Sequence, residues 1–218
     1  EFRRVLFRSR LIPLIRYVST ELLATPSSTV SDILVRCSEE PGMQLPFTDT
    51  RNVTWFCFYI IHHASAIKRR NLVTALVQQG IRVFGDAQGW QELVGPALPV
   101  SPAVDYNTAL GALYRSISVN VNITSCQMKT AVNQRVFDIP AAGGFVISDD
   151  QQDLSRLFTP EEETVTYQSP EELREKAAFY AGHQSARMKI VASAAVRIRA
   201  EYTYRHRIRE ISRTLFSG

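Results

Sequence analysis

Between residues 81 and 182 the sequence alternates short strand-like and helix-like segments, and this alternation constrains the fold more than any other feature. The strand-like segments are residues 81–84, 118–124, 145–147 and 164–167. Strands separated by helices imply crossover connections, which join parallel strands. The predicted fold class is therefore α/β, with a parallel sheet and flanking helices. Ligands of such sheets bind at the carboxyl ends of the strands, which here directs attention to the loops after Phe84, Thr124, Ile147 and Tyr167.

The predicted strand at residues 118–124 has two chemically distinct faces. Apolar and polar residues alternate, so that Val119, Val121 and Ile123 share one face. The other face carries Asn120, Asn122 and Thr124. The polar face ends at the edge of the sheet where ligands bind.

The segments on either side of the alternating region predict helices. Residues 11–24, 29–37 and 53–79 are helical in pattern, with a loop at 39–52 and a helix-ending glycine at Gly80. Ser169, Pro170 and Glu172 form the signature of a helix start that extends to Gly182. A last helix is predicted from residue 185 to residue 215.

Composition indicates a folded protein. Of 218 residues 45% are hydrophobic and 21% charged, which is typical of a globular chain. Apolar stretches are interrupted before 18 residues, so no transmembrane segment is predicted. Cys37, Cys57 and Cys126 lie far apart without a C-x-x-C pair, which excludes a disulfide framework or zinc knuckle and favours a reducing, cytoplasmic location.

The first nine residues account for half of the excess positive charge. The chain has 25 basic and 21 acidic residues, a net charge of +4, and without residues 1–9 the net charge is +2. The Glu1-Phe2 start and the Leu6-Phe-Arg-Ser9 run are typical of adaptor-encoded peptide, and the alternative is a natural amphipathic arm. We expect residues 1–9 to be an adaptor-derived leader, which implies that the chain is a fragment.

Common catalytic fingerprints are missing from the sequence. It contains neither G-x-G-x-x-G nor G-x-x-x-x-G-K-[ST], and neither H-E-x-x-H nor G-x-S-x-G. The adjacent His62 and His63 would point in different directions on a helix and are interpreted as packing or surface residues. No metal site is predicted. Binding of an anionic ligand by loops and helix ends fits this pattern best.

Residues 128–144 are the densest candidate segment. A helix is predicted from Thr130 to Ala142, with Arg135 and Asp138 on one face and a kink at Pro140. Gly143 and Gly144 would allow a tight turn and a close approach of a ligand. The alternative interpretation is a surface ion pair between Arg135 and Asp138, worth about 0.2–0.5 kcal/mol.

The chain resembles the C-terminal half of the CgeB-like (spore-maturation type) glycosyltransferases, which have the two-domain GT-B architecture. The most specific part is the block Ala131-Val-Asn-Gln-Arg-Val-Phe-Asp138 with its Ile-Pro-Ala-Ala-Gly-Gly tail. The resembling segments, in order, are residues 83–86, 113–116, 119–123, 130–138, 139–145, 153–158, 169–173 and 201–207.

The resemblance implies a glycosyltransferase whose Rossmann-like C-terminal half binds a nucleotide-diphosphate sugar as substrate, with no cofactor. By position in the motif, Asp138 would hold ribose or sugar hydroxyls. Many retaining relatives carry a Glu eight residues earlier, where this chain has Thr130, so that motif is incomplete. The diphosphate would meet Arg135, Lys129 and the amides of residues 130–133. The candidate donor-binding residues are Asp138, Arg135, Asn133, Thr130, Lys129, Asn122, Gly143 and Gly144.

The resemblance also implies a division of the chain. Residues 1–9 are the leader, 10–79 a helical remnant of an upstream region, and 80–218 the Rossmann-like donor-binding domain with a long C-terminal helix. The acceptor, which is unknown, and any catalytic base would belong to a missing N-terminal GT-B domain. We therefore expect the chain to bind nucleotide without transferring sugar by itself.

Two other functions remain open from the sequence. One is a non-catalytic nucleotide-binding or protein-interaction module on the same fold. The other is nucleic-acid binding through the arginines of residues 197–213. Glu201 and Glu210 interrupt that basic stretch and the chain has four lysines, so a solvated helix is favoured and no nucleic-acid partner is predicted. Tyr202, Tyr204 and His206 are interpreted as packing residues.

Overall fold

The computed structural model describes residues 11–216, and the predicted leader at residues 1–9 lies outside this range. The chain forms two compact units. Within the described residues, the first comprises residues 11–71 together with Ser125–Thr130. The second comprises Leu72–Thr124 and residues 131–216. Each unit has its own apolar core.

The first unit is helical. It contains α1 (Leu11–Ala24), α2 (Val30–Cys37) and most of α3 (Thr50–Leu76), as the apolar periodicity predicts. Thr29 begins α2 with a capping box, in which its hydroxyl accepts from the Asp32 backbone N–H and the Asp32 carboxylate accepts from the Thr29 N–H. The core includes Leu14, Val18, Ile33, Phe56 and Ile60, each at most 1% exposed.

The second unit alternates short strands and helices after a 3₁₀ turn at Val77–Gln79 and a left-handed Gly80. In chain order its elements are β1 (Val83–Phe84), α4 (Ala87–Val94), β2 (Val100–Ser101), α5 (Leu110–Ser116), β3 (Asn120–Asn122), α6 (Arg135–Ala141), β4 (Val146–Asp149), α7 (Leu154–Leu157), β5 (Val165–Tyr167), α8 (Pro170–Gly182), α9 (Gln184–Glu201) and α10 (Tyr204–Phe216).

All strand pairs among residues 11–216 are parallel, which confirms the predicted α/β, Rossmann-like fold class. The strands form two small sheets, in the order β1-β2 and β3-β4-β5, rather than one continuous sheet. In the larger sheet Asn122 lies opposite Ser148, and Asp149 lies opposite Tyr167. The sequence did not predict α4 or β2.

The polar face of β3 is the more deeply buried one. Asn120 and Asn122 are 7% and 1% exposed, and Thr124 just beyond the strand is 1% exposed. Val121 on the opposite face is partly buried and packs against the core around Ile147 and Val165. Buried amides of this kind require hydrogen-bond partners, and the asparagines have them.

Two helix boundaries differ from the predictions. The helix predicted from Thr130 begins only at Arg135, because the Asn133 side chain accepts the hydrogen bond of the Arg135 N–H and fixes a turn before the helix. The last helix is broken into α9 and α10. The break lies at residues 202–203. Tyr202 packs against Phe137 and Phe158, and Thr203 and His206 are hydrogen-bonded to each other at the start of α10.

The end of α6 requires its two glycines. Pro140 lies in the last turn, and the helix stops one residue later. Gly143 has a φ of 87°, in the left-handed region that favours glycine. A Cβ on Gly144 would lie 2.6 Å from the backbone oxygen of Tyr114. The sequence predicted a tight turn here, and the close approach at Gly144 is by the chain itself.

We expect Gly144→Ala to lower the free energy of unfolding by about 1–3 kcal/mol, because the methyl group would force α5 away from the α6–β4 turn. Urea denaturation measures the change. Gly182→Ala is the matched control, since a Cβ there meets nothing within 4 Å and its φ is not positive. Equal stability of the two variants would contradict this packing.

Candidate functional site

The carboxyl ends of β3, β4 and β5 meet at one edge of the sheet because the strands are parallel. The side chains that end these strands are polar and buried. Asp149, at the end of β4, is 4% exposed. Its Oδ1 accepts from the Thr124 N–H at 2.9 Å and from the Thr124 hydroxyl at 2.8 Å, and its Oδ2 accepts from Gln151 at 3.1 Å. These bonds fix the chain after β3 to the end of β4.

A second set of hydrogen bonds runs from the buried sheet to the start of α6. The Asn122 amide donates to the Ser148 hydroxyl at 3.0 Å, and its oxygen accepts from the Asn133 amide at 3.0 Å. The Asn133 oxygen in turn accepts from the Arg135 N–H at 3.0 Å. We call this chain, formed by Ser148, Asn122, Asn133 and Arg135, the amide relay. It places the first turn of α6 relative to the sheet.

Helix α6 buries one face and presents charged groups on another. Val136 and Ile139 are 3% and 1% exposed and form the buried side of the helix. Val136 packs with Leu154 and Ile198, so this part of the face lies against α7 and α9. Arg135 is exposed and Asp138 is half-buried. The buried face therefore fixes where the two charged side chains emerge.

Two tyrosines join the charged residues of α6. The Tyr106 hydroxyl donates to Asp138 Oδ2 at 2.7 Å. This hydrogen bond, with the carboxylate charge, raises the pKa of Tyr106 to about 12, and the nearby Tyr204 and Tyr114 add smaller effects. Burial raises the pKa of Tyr114, against the opposing effect of the adjacent Arg135 guanidinium. We call Tyr106, Tyr114, Arg135 and Asp138 the phenol–carboxylate cluster.

Arg135 and Asp138 do not pair with each other. Among the residues that the structure describes, the Asp138 carboxylate is hydrogen-bonded only to Tyr106, and no ion pair includes Arg135. The alternative interpretation as an i,i+3 ion pair is therefore wrong. The separation leaves a carboxylate and a guanidinium side by side on one helix, each with its charge uncompensated by the other.

The predicted donor-binding residues are distributed over both units. Asn122, Asn133, Arg135, Asp138, Gly143 and Gly144 belong to the second unit, whereas Lys129 and Thr130 belong to the first. Lys129 donates from Nζ to the Ser28 carbonyl at 2.6 Å, and burial lowers its pKa. Thr130 precedes α6 by several residues, so its amide is not part of a helix N-terminus. Their contact with a donor stays a prediction.

Asn122, Gly143 and Gly144 have structural roles in the second unit, of which the sequence predicted only the tight turn at the two glycines. Both ends of the Asn122 amide are used in the amide relay, and its backbone oxygen accepts from the Tyr167 hydroxyl at 3.0 Å. The positive φ of Gly143 favours glycine at that position. A Cβ on Gly144 would lie too close to the backbone oxygen of Tyr114, so the chain's own backbone accounts for both glycines. Donor contact by these three residues also stays a prediction.

Sequence reasoning missed Tyr106 and Tyr114. They lie 32 and 24 residues before Asp138, and only the packing of α5 against α6 brings them to it. A local signal is Asp105, whose side chain accepts from the N–H groups of Asn107 and Thr108 and so caps the turn that carries Tyr106.

The described part of the chain contains no group of three or more His, Cys, Asp or Glu side chains arranged to hold a metal ion. Between Leu11 and Phe216, no helix is long and apolar enough to cross a membrane. A profile of a family described as glycosyl transferase-like matches residues 68–213, about two thirds of the chain. No curated protein and no solved structure shows significant similarity to this chain.

We expect Asn133→Ala to destabilise the protein by about 1–3 kcal/mol, because it leaves the buried Asn122 oxygen without its partner. Thermal or urea unfolding measures the loss. Asn107→Ala is the control. Its side chain makes no hydrogen bond in the described residues, so we expect a change within about 0.5 kcal/mol. An Asn133 variant as stable as this control would contradict the amide relay.

Proposed function

The chain belongs to the glycosyl transferase-like family, and from this we propose that its second unit is the donor-binding half of a CgeB-like GT-B glycosyltransferase. The substrate is a nucleotide-diphosphate sugar, bound at the carboxyl edge of β3, β4 and β5 and along α6. The sugar passes to an acceptor outside this chain.

The observation that carries the proposal is the separated carboxylate and guanidinium of α6. A carboxylate accepts hydrogen bonds from sugar or ribose hydroxyls, and Asp138 has one oxygen without a partner among the described residues. A guanidinium binds phosphate oxygens through paired N–H groups. One helix thus presents groups suited to both halves of a nucleoside diphosphate, the ribose and the diphosphate.

Catalysis on this proposal is positioning together with electrostatic stabilisation. Asp138 fixes the donor, while Arg135 offsets the negative charge that develops on the departing diphosphate. The two phenols of the cluster stay protonated at neutral pH because their pKa values are raised, so neither acts as a base toward the acceptor. A separate N-terminal GT-B domain supplies the acceptor site, so we expect the 218-residue chain to bind donor without transferring sugar.

We expect Asp138→Ala to weaken binding of a nucleoside diphosphate by about tenfold or more, because a hydrogen bond to a charged group contributes about 1.5–3 kcal/mol. The measurement is titration calorimetry with UDP, GDP, ADP, CDP and dTDP as probes. Glu175→Ala removes an exposed carboxylate of α8 outside the cluster and is the control.

The outcomes separate the candidate functions. If no probe binds to the wild-type chain, donor binding by this unit is wrong. If Asp138→Ala abolishes binding, and abolishes transfer once the chain is joined to its N-terminal domain, the enzyme is supported. If Asp138→Ala abolishes binding but the wild-type chain joined to its N-terminal domain transfers no sugar, the non-catalytic nucleotide-binding module is favoured.

We expect Arg135→Gln to weaken binding of a nucleoside diphosphate far more than binding of the corresponding nucleoside, since only the first carries phosphate charge. Parallel titrations with UDP and uridine, or with whichever pair binds, test this. Arg174→Gln is the control, because its side chain is an exposed cation on α8. An equal loss for both ligands would exclude the diphosphate role of Arg135.

A further inference from the structure

Tyr106 holds one oxygen of the Asp138 carboxylate. Its hydroxyl donates to Oδ2 at 2.7 Å, whereas Oδ1 has no hydrogen-bond partner within residues 11–216. A carboxylate on a half-buried side chain has several rotamers open to it, and a bond to one oxygen selects among them. The phenol therefore decides which way the free oxygen faces.

Tyr106 can orient Asp138 because its own backbone is fixed. Tyr106 is 54% exposed, but its backbone lies in a turn that begins at Asp105. Asp105 Oδ1 accepts from the Thr108 N–H at 2.8 Å, from the Thr108 hydroxyl at 2.6 Å and from the Asn107 N–H at 3.1 Å. These three bonds close the turn at residues 106–109. A fixed turn lowers the entropy that the phenol loses when it holds the carboxylate.

A neutral donor orients this carboxylate without neutralising it. Arg135, three residues earlier on α6, lies near Tyr114 instead, and Asp138 has no ion-pair partner in the described chain. A phenol bond leaves the carboxylate its full charge and a free acceptor oxygen. A bidentate salt bridge would have compensated the charge and engaged both oxygens.

We propose that Tyr106 is a positioning residue of the donor site, whose hydroxyl holds Asp138 Oδ2 so that Oδ1 accepts a hydroxyl group of the donor. The inference rests on the proposed function. It assigns Tyr106 an effect that operates only through Asp138, and a residue that bound the donor on its own would behave differently.

The test is a thermodynamic cycle on the full chain with Tyr106→Phe, Asp138→Ala and the double variant. The probe is the nucleoside diphosphate that the wild-type chain binds best, measured by calorimetry. We expect Tyr106→Phe to weaken binding about three- to tenfold, which corresponds to the loss of one ordinary hydrogen bond. The double variant should bind as weakly as Asp138→Ala alone, because Tyr106 then has nothing to position.

Two controls exclude a merely structural effect. Tyr17→Phe removes a 40% exposed phenol in α1 of the first unit and should leave binding unchanged. The free energy of unfolding of Tyr106→Phe should stay within about 0.5 kcal/mol of the wild type, since the lost bond is exposed.

The remaining outcomes overturn the inference in distinguishable ways. Tighter binding by Tyr106→Phe would mean that the phenol competes with the donor. An equal loss in both Asp138 backgrounds would mean that Tyr106 contacts the donor directly. If Asp138→Ala weakens binding and Tyr106→Phe does not, the inference falls and the proposed function stands. If the wild-type chain binds no probe, both fall.

Discussion

The second unit depends on the buried side-chain amide of Asn122. This residue is 1% exposed, and an unpartnered amide in such a place would cost several times what a satisfied one contributes. Its partners come from β4 and from the loop before α6, so satisfying one side chain joins three segments of the chain. The parallel register makes this possible because it sets Asn122 directly opposite Ser148.

The position of α6 follows from that amide. Asn133, bonded to Asn122, accepts from the Arg135 N–H and so determines where the helix begins. At the other end, Gly143 and Gly144 determine where it stops, because the backbone of Tyr114 occupies the space that a side chain would need. A helix of seven residues fixed at both ends holds Arg135 and Asp138 in defined places. The geometry of the charged groups is thus a consequence of buried polar contacts and not of their own pairing.

Local signals predicted much of this fold from the sequence. The helix at Leu11–Ala24, the helix within residues 29–37 and the start of α8 at Ser169 all rest on residues within one or two turns of each other. The failures have a common physical cause. The predicted helix start at Thr130 and the predicted unbroken helix to residue 215 ignored tertiary contacts, namely the amide relay and the packing of Tyr202 on Phe137 and Phe158. Apolar periodicity carries no information about a side chain that competes for the backbone hydrogen bonds of a helix.

The candidate site shows the same division between local and distant information. Arg135 and Asp138 were found from one short motif, but their i,i+3 spacing suggested a pair that the structure does not form. Each lies beside a phenol instead, Asp138 beside Tyr106 of the turn at residues 106–109 and Arg135 beside Tyr114 of α5. In an ion pair each charge would have compensated the other, and the electrostatic attraction of either residue for a ligand would have been weaker. The neutral Tyr106 hydroxyl binds one oxygen of the Asp138 carboxylate without compensating its charge, and the other oxygen has no partner among the described residues. The separation of charge on α6 is therefore the property from which the proposed donor site follows.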